Sequence, residues 1–182
     1  MRALDIDPVH DTRATFRGLL DAMSRPGTVE SVTAPADHAV VATLVDHEVT
    51  VSTDDDELRD ALASQGRLDE TTPESADIVH AREYERFDVR ECQRGTLVEP
   101  SEGATVVYRV DALAAGEHED HTTVTLSGPG VDGTATLSVA LPSTELEAIA
   151  EAQSAYPRGV DAVFASEQRV AAVPRSVTME VA

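Results

Sequence analysis

Two stretches of alternating β-branched and polar residues, 121–126 and 134–139, face each other across Ser127-Gly128-Pro129-Gly130-Val131-Asp132-Gly133. This arrangement limits the local fold more than any other part of the chain. Alternation with a period of two marks a strand, and three glycines between two such runs mark a turn. Gly128, Gly130 and Gly133 also spell GxGxxG, the spacing with which dinucleotide-binding folds cradle a phosphate. That use requires a helix to start at the last glycines, because the helix N-terminus supplies free N–H groups and the positive end of the dipole. Here Thr134-Ala135-Thr136-Leu137-Ser138-Val139 follows instead and reads as a second strand, and the next helix-start signal waits until Thr144. Pro129 removes one more backbone donor. The stretch is therefore read as a turn between strands rather than a nucleotide loop.

The rest of the chain alternates in type. Asp7-Pro8 reads as a helix cap and first helical residue, and Val9, Phe16, Leu19, Leu20 and Met23 fall on one stripe. One amphipathic helix ending at Pro26-Gly27 is predicted, followed by a strand at 28–32. Residues 39–45 predict a mostly buried helix and 48–52 a strand. Asp54-Asp55-Asp56-Glu57 loads acid onto the next helix start, with Leu58, Ala61 and Leu62 inward and Gln65-Gly66 as its end. Strands are predicted at 76–81 and 104–110, a short helix at 83–93 and a small acidic loop at 114–120. Thr144-Glu145-Leu146-Glu147 has the pattern of a capping box opening a helix to about residue 155. Residues 160–165 and 169–173 predict two strands joined at Ser166-Glu167-Gln168, and 177–181 another. The sum is one domain of the α/β class, a single sheet covered by helices with antiparallel hairpins mixed in.

Charge narrows the partners. The 34 acidic and 14 basic residues give a net charge of −20, and every basic residue is arginine; lysine, asparagine and tryptophan do not occur. Such a surface repels itself and is tolerated best in concentrated salt, where the Debye length falls to about 3 Å at 1 M. A halophilic, salt-rich cytoplasm is the expected setting. Nucleic-acid binding is disfavoured without a basic patch. No apolar run is long enough for a membrane span, and the start of the chain lacks a signal-peptide pattern. Without lysine no Schiff base to pyridoxal phosphate forms, and no P-loop lysine holds a phosphate. The lone Cys92 excludes an internal disulfide, a CxxC pair and a cysteine-ligated iron–sulfur cluster, and is read as a partly buried thiol.

Two constellations remain. His118-Glu119-Asp120-His121 brings metal-ligand residue types together but lies in a loop running into a strand, and is read as a solvated acidic loop. Arg25, Arg158 and Arg175 sit beside proline or glycine at element ends, where a guanidinium fork can meet a phosphate, a phosphonate or a partner's carboxylate. An internal salt bridge is the commoner use of such an arginine.

Taken in series, several loops resemble the PhnH family, a subunit family of the carbon–phosphorus lyase core complex. They are Phe16-Arg17-Gly18-Leu19-Leu20-Asp21-Ala22-Met23-Ser24-Arg25-Pro26-Gly27, Gly95-Thr96 with Glu99-Pro100 and Gly103-Ala104-Thr105, residues 126–133, Tyr156-Pro157-Arg158-Gly159-Val160-Asp161, and Val173-Pro174-Arg175. The resemblance implies a three-layer α/β/α fold with a mixed central sheet, similar to pyridoxal-phosphate-dependent transferases but without that cofactor. It implies a subunit that supports formation of α-D-ribose 1-phosphonate 5-triphosphate from a nucleoside triphosphate and a phosphonate, without a catalytic site of its own. PhnG-, PhnI- and PhnJ-like subunits would be its partners, a homodimer its form in isolation, and the C–P bond would be cleaved later on an iron–sulfur subunit. The candidate anion, ligand or partner contacts are Arg25, Gly27, Ser127, Gly128, Gly130, Arg158, Asp161 and Arg175; no cofactor and no metal are expected. The rival is a stand-alone small-anion or nucleotide-binding protein or enzyme, with Ser127, Gly128 and Gly130 joined by Arg25, Arg158 or Arg175 around one pocket. A homodimeric scaffold using a sheet edge is a third reading.

Overall fold

The computed structural model describes residues 4–182. Its organising feature is a mixed six-stranded sheet in the order β1-β9-β8-β4-β3-β2. Four strands run parallel: β2 (Val51–Thr53), β3 (Ile78–Ala81), β4 (Thr105–Arg109) and β8 (Asp161–Ser166). β9 (Arg169–Val173) returns antiparallel from β8 as a hairpin, and the two-residue β1 (Glu30–Ser31) pairs with β9 at the edge. The inner strands are apolar on both faces, as parallel strands covered on both sides must be. Val107, Val163 and Ala165 point into one buried cluster, while Val106, Tyr108, Ala162 and Phe164 point into the other.

The first cluster is closed by α1 (His10–Ser24), α2 (Ala36–Leu44) and α3 (Asp56–Ser64). The second is closed by α4 (Ser143–Gln153) together with a four-stranded antiparallel sheet, β10-β6-β7-β5. Its strands are β5 (Leu113–Ala115), β6 (Thr122–Ser127), β7 (Ala135–Val139) and β10 (Thr178–Val181). The α/β class with a mixed sheet stands as expected, but the single sheet does not: there are two. Alternation along β6 and β7 buries Val124, Leu126, Leu137 and Val139 on one side only, so this hairpin folds over the first sheet instead of joining it. The small loop expected at 114–120 begins as β5, the edge strand paired with β7. β6 and β7 pair antiparallel from Thr122↔Val139 to Leu126↔Ala135, so the glycine segment is the turn that was expected. No helix among the described residues is long and apolar enough to cross a membrane.

Local chemistry accounts for most element ends. The Asp7 carboxylate accepts the Val9 and His10 N–H groups at 2.9 and 2.6 Å in the turn that leads into α1, but the helix itself opens at His10, two residues after the expected Pro8. Asp55 caps α3 through the Glu57 and Leu58 N–H groups. The capping box does not form: Pro142 is the extended residue ahead of α4, so Thr144 already lies inside the first turn. The helix expected at 83–93 is instead two 3₁₀ turns, Tyr84–Arg86 and Val89–Glu91. Phe87 between them is extended and stacks on Tyr108 with ring centroids 6.5 Å apart, a contact that a continuous helix with no apolar stripe could not match.

α1 is rolled from the expected orientation: Leu19 of the stripe is buried and Met23 packs at the edge of the core, but the rest of the stripe faces out. Thr15, Gly18, Leu19 and Ala22 are buried, whereas Phe16 and Leu20 of the expected stripe are 53% and 56% exposed. Gly18 is the reason. A Cβ there would stand 2.8 Å from the Ser31 carbonyl oxygen and 2.8 Å from Val32 Cγ1, so the helix can approach β1 this closely only on its smallest side. Gly18→Ala is therefore expected to lower stability by about 1–3 kcal/mol through overpacking. On an exposed helix face the same change would stabilise by nearly 1 kcal/mol. Chemical denaturation reads the sign directly; a stabilised variant would refute the close approach.

Candidate functional site

The loops that carry the resemblance close on one another in space. At the end of α1, Gly27 (φ +96°) sits so near β7 that a Cβ would be 2.5 Å from the Ala135 Cβ. Gly130 (φ +83°) lies against the same segment, where a Cβ would stand 2.5 Å from the Ser24 carbonyl oxygen and 3.0 Å from Pro26 Cδ. Gly128 (φ +125°) meets the other neighbour, with the Ser176 carbonyl oxygen 3.2 Å from its would-be Cβ. Only glycine combines a positive φ with this closeness of backbone, so the turn between β6 and β7 is wedged between the end of α1 and the segment before β10. Ser127 is half-buried at the end of β6, paired with Thr178.

Arg175 continues the belt. Its guanidinium takes the Asp161 carboxylate through Nε (3.1 Å to each oxygen) and Nη2 (2.5 Å), and its own N–H donates to Asp161 Oδ1 at 2.8 Å. Nη1 donates to the Pro100 carbonyl at 2.5 Å and Nη2 to the Gly103 carbonyl at 2.9 Å. A Cβ on Gly103 would run into this guanidinium and the Gly159 carbonyl. The fork thus ties the 100–103 turn, the start of β8 and the segment before β10 into one body. A cavity of about 310 Å³ opens beside it, lined by Gln153, Tyr156, Arg175, Ser176 and Val177. Arg25 points elsewhere, 3.4 Å from both Asp21 and Glu30, and is more than half exposed. Arg158 is exposed in the turn after α4. So the Gly27 and Gly130 backbones meet at the end of α1, Gly128 adjoins the segment that carries Arg175, and Arg175 holds Asp161, while the Arg25 side chain turns to Asp21 and Glu30 and Arg158 is exposed.

A second assembly lies at the carboxyl ends of β2 and β3. Thr53 Oγ1 is 2.9 Å from His80 Nδ1, and His80 Nε2 is 3.2 Å from Asp37 Oδ2. The Thr53 oxygen also accepts the Asp55 N–H at 3.1 Å, and because the Asp37 carboxylate can only accept, His80 presents Nε2–H to Asp37. Beside it, His38 Nε2 reaches Asp55 Oδ2 at 2.7 Å, and Arg82 pairs with the same carboxylate oxygen. Burial by itself would push the Asp55 carboxyl up; the His38 bond, the Leu58 N–H and Arg82 outweigh it and hold it at about 2. Asp37 is likewise held below its ordinary value, burial opposing and the His80 bond prevailing. Thr53, His80 and Asp37 are each buried, which makes this relay a brace between α2 and the strand ends.

Tyr108, fully buried, donates to Glu145 at 2.8 Å. Burial raises the carboxyl of Glu145 and pushes the Cys92 thiol up to about 12, so the thiol is protonated and unreactive. Cys92 is more completely buried than expected. His118 and His121 stack with ring centroids 4.6 Å apart, with residues 117–120 exposed and His121 half-buried.

The family model for the bacterial phosphonate metabolism protein PhnH matches residues 5–180, a span that includes every loop of this belt. The chain belongs to the PhnH family. It is 28% identical over 200 residues to the α-D-ribose 1-methylphosphonate 5-triphosphate synthase subunit PhnH of Rhizobium meliloti (strain 1021), covering 96% of this chain and 92% of that one. It is 32% identical over 172 residues to HtxG of Stutzerimonas stutzeri, a protein provisionally named as a C-P lyase subunit, covering 90% and 83%. In this chain the loops that carry the resemblance are held together by Arg175 and by glycines. The buried His38–Asp55 and His80–Asp37 pairs escaped sequence reasoning. The available signal was two histidines set in otherwise apolar elements, Ala36-Asp37-His38-Ala39 and Ile78-Val79-His80-Ala81.

Proposed function

We propose that the protein is a subunit of a phosphonate-processing complex of the carbon–phosphorus lyase type, required for making α-D-ribose 1-phosphonate 5-triphosphate from a nucleoside triphosphate and a phosphonate. The whole-length family match carries this reading. It is supported by the belt, in which the mostly buried Arg175 is engaged by Asp161 and two backbone carbonyls and shapes a surface instead of meeting a ligand. PhnG-, PhnI- and PhnJ-like subunits are the partners, with a homodimer as the form in isolation. The fold belongs with the three-layer α/β/α transferases that use pyridoxal phosphate, in a version with no lysine to bind it. The molecule works in a salt-rich cytoplasm.

Reconstitution tests the proposal. Companion subunits in molar salt should release free base from a nucleoside triphosphate in the presence of a phosphonate only when this chain is added. Full activity without it, or turnover by the chain alone, overturns the reading.

A further inference from the structure

Large apolar side chains left in water on a helix that could have buried them require an explanation. Val9, just ahead of α1, is 65% exposed, Phe16 53% and Leu20 56%. Arg13 lies between them, so that 9, 13, 16 and 20 follow the i, i+4, i+7, i+11 spacing of one continuous face. Arg17 flanks the row, and neither Arg13 nor Arg17 has a carboxylate partner among the described residues, in a chain with 34 acidic side chains to offer. The chain has 3 phenylalanines; Phe87 and Phe164 pack against Tyr108, and only Phe16 faces out. One turn beyond Leu20, the Ser24 carbonyl receives the Gly130 wedge, so the face runs without a break onto the β6–β7 turn. The inward side of α1 is fixed by Gly18, which means that rolling the helix to hide Phe16 would drive a larger side into β1.

We infer that this face of α1 is the surface by which the chain docks on a companion subunit, one that presents an apolar patch rimmed by carboxylates. The inference rests on the complex membership proposed above and names the surface that serves it. An aromatic anchor flanked by arginine, on an apolar face, is the composition of an interface centre. Two unpaired guanidiniums beside the anchors select an acidic rim, which contributes orientation and association rate. A second copy of this chain fits worse. A two-fold axis through Phe16 would set Arg13 and Arg17 against the Arg17 and Arg13 of the other copy, with like charges opposed and the neighbouring Asp21 already engaged by Arg25.

The test compares co-elution and affinity of the full chain with its companion synthase subunits. Phe16→Ser with Leu20→Ser is expected to weaken assembly on the order of a hundredfold. Arg13→Glu with Arg17→Glu is expected to weaken it about tenfold at low salt and to recover as salt is raised, because screening then relieves repulsion instead of weakening attraction. Arg86→Glu, half that charge change, on the exposed turn after β3, should leave assembly within about twofold. All four α1 side chains are exposed, so thermal melting of each variant should match the parent. If the parent assembles and both α1 variants assemble equally well, the docking face is refuted while complex membership stands. If the parent does not assemble at any salt, both fall. A dimer of the isolated chain that is abolished by Phe16→Ser with Leu20→Ser also overturns the inference.

Discussion

Arg175→Met is expected to destabilise the protein by about 3–5 kcal/mol, the usual result of removing one member of a buried ion pair. The arginine and aspartate side chains of this pair are only 13% and 16% exposed. Methionine fills much of the space but donates no hydrogen bond. Asp161 then stays half-buried without its counter-charge, and the Pro100 and Gly103 carbonyls lose their donors. Asp161→Asn should cost less, since an amide oxygen still accepts from the guanidinium. The double variant should be less unstable than the sum of the singles by about 1–3 kcal/mol, because both changes act on one contact. Guanidinium chloride unfolding of the three variants measures this. A loss below about 1 kcal/mol for Arg175→Met would mean that the fork is not a brace, and would return Arg175 to the pool of ligand-binding candidates.

The second large effect belongs to Asp55. Asp55→Ala removes the α3 cap, about 1 kcal/mol on its own, and deprives His38 and Arg82 of their shared acceptor, for a total of roughly 3–5 kcal/mol. Asp55→Asn keeps an acceptor for the Glu57 and Leu58 N–H groups and should recover about 1 kcal/mol of that. The same carboxylate makes stability depend on acid. Its folded value of about 2 lies below the ordinary 3.8, so its contribution is complete above about pH 4 and disappears as the pH falls through 2. That window should remove about 2 kcal/mol from the parent and little from Asp55→Asn. Asp37, held down by His80, adds to the loss in the same direction. The measurement belongs in molar salt, where protonating the many surface acids no longer changes self-repulsion much. Equal acid slopes in parent and Asp55→Asn would show that the pair with His38 does not hold the carboxylate down.

Elements whose cause is local could be read in advance. The hairpin of β6 and β7 follows from threonine–valine alternation and three glycines, and α3 from acids ahead of Leu58, Ala61 and Leu62. α1 was legible as a helix but not in its orientation. Periodicity marks Phe16 and Leu20 as a stripe, and only the proximity of Ser31 to Gly18 shows that the narrow side goes in. The buried histidines stood out locally in apolar elements, but their pairing left no local trace, because the partners are 17, 27 and 43 residues apart.

The sequence by itself determined the α/β class, the turn character of the glycine stretch, the chemistry that a lysine-free chain with one cysteine gives up, and the resemblance of its loops to a family. Tertiary structure alone decided that those loops meet, that Arg175 faces Asp161 and two carbonyls, that a second sheet covers the first, and that α1 leaves its large apolar face in water. The division has a physical basis. Strand alternation, capping and turn conformation act over a few residues, whereas ion pairing, close backbone approach and the choice of buried face depend on groups that only the completed chain path brings within a few ångströms.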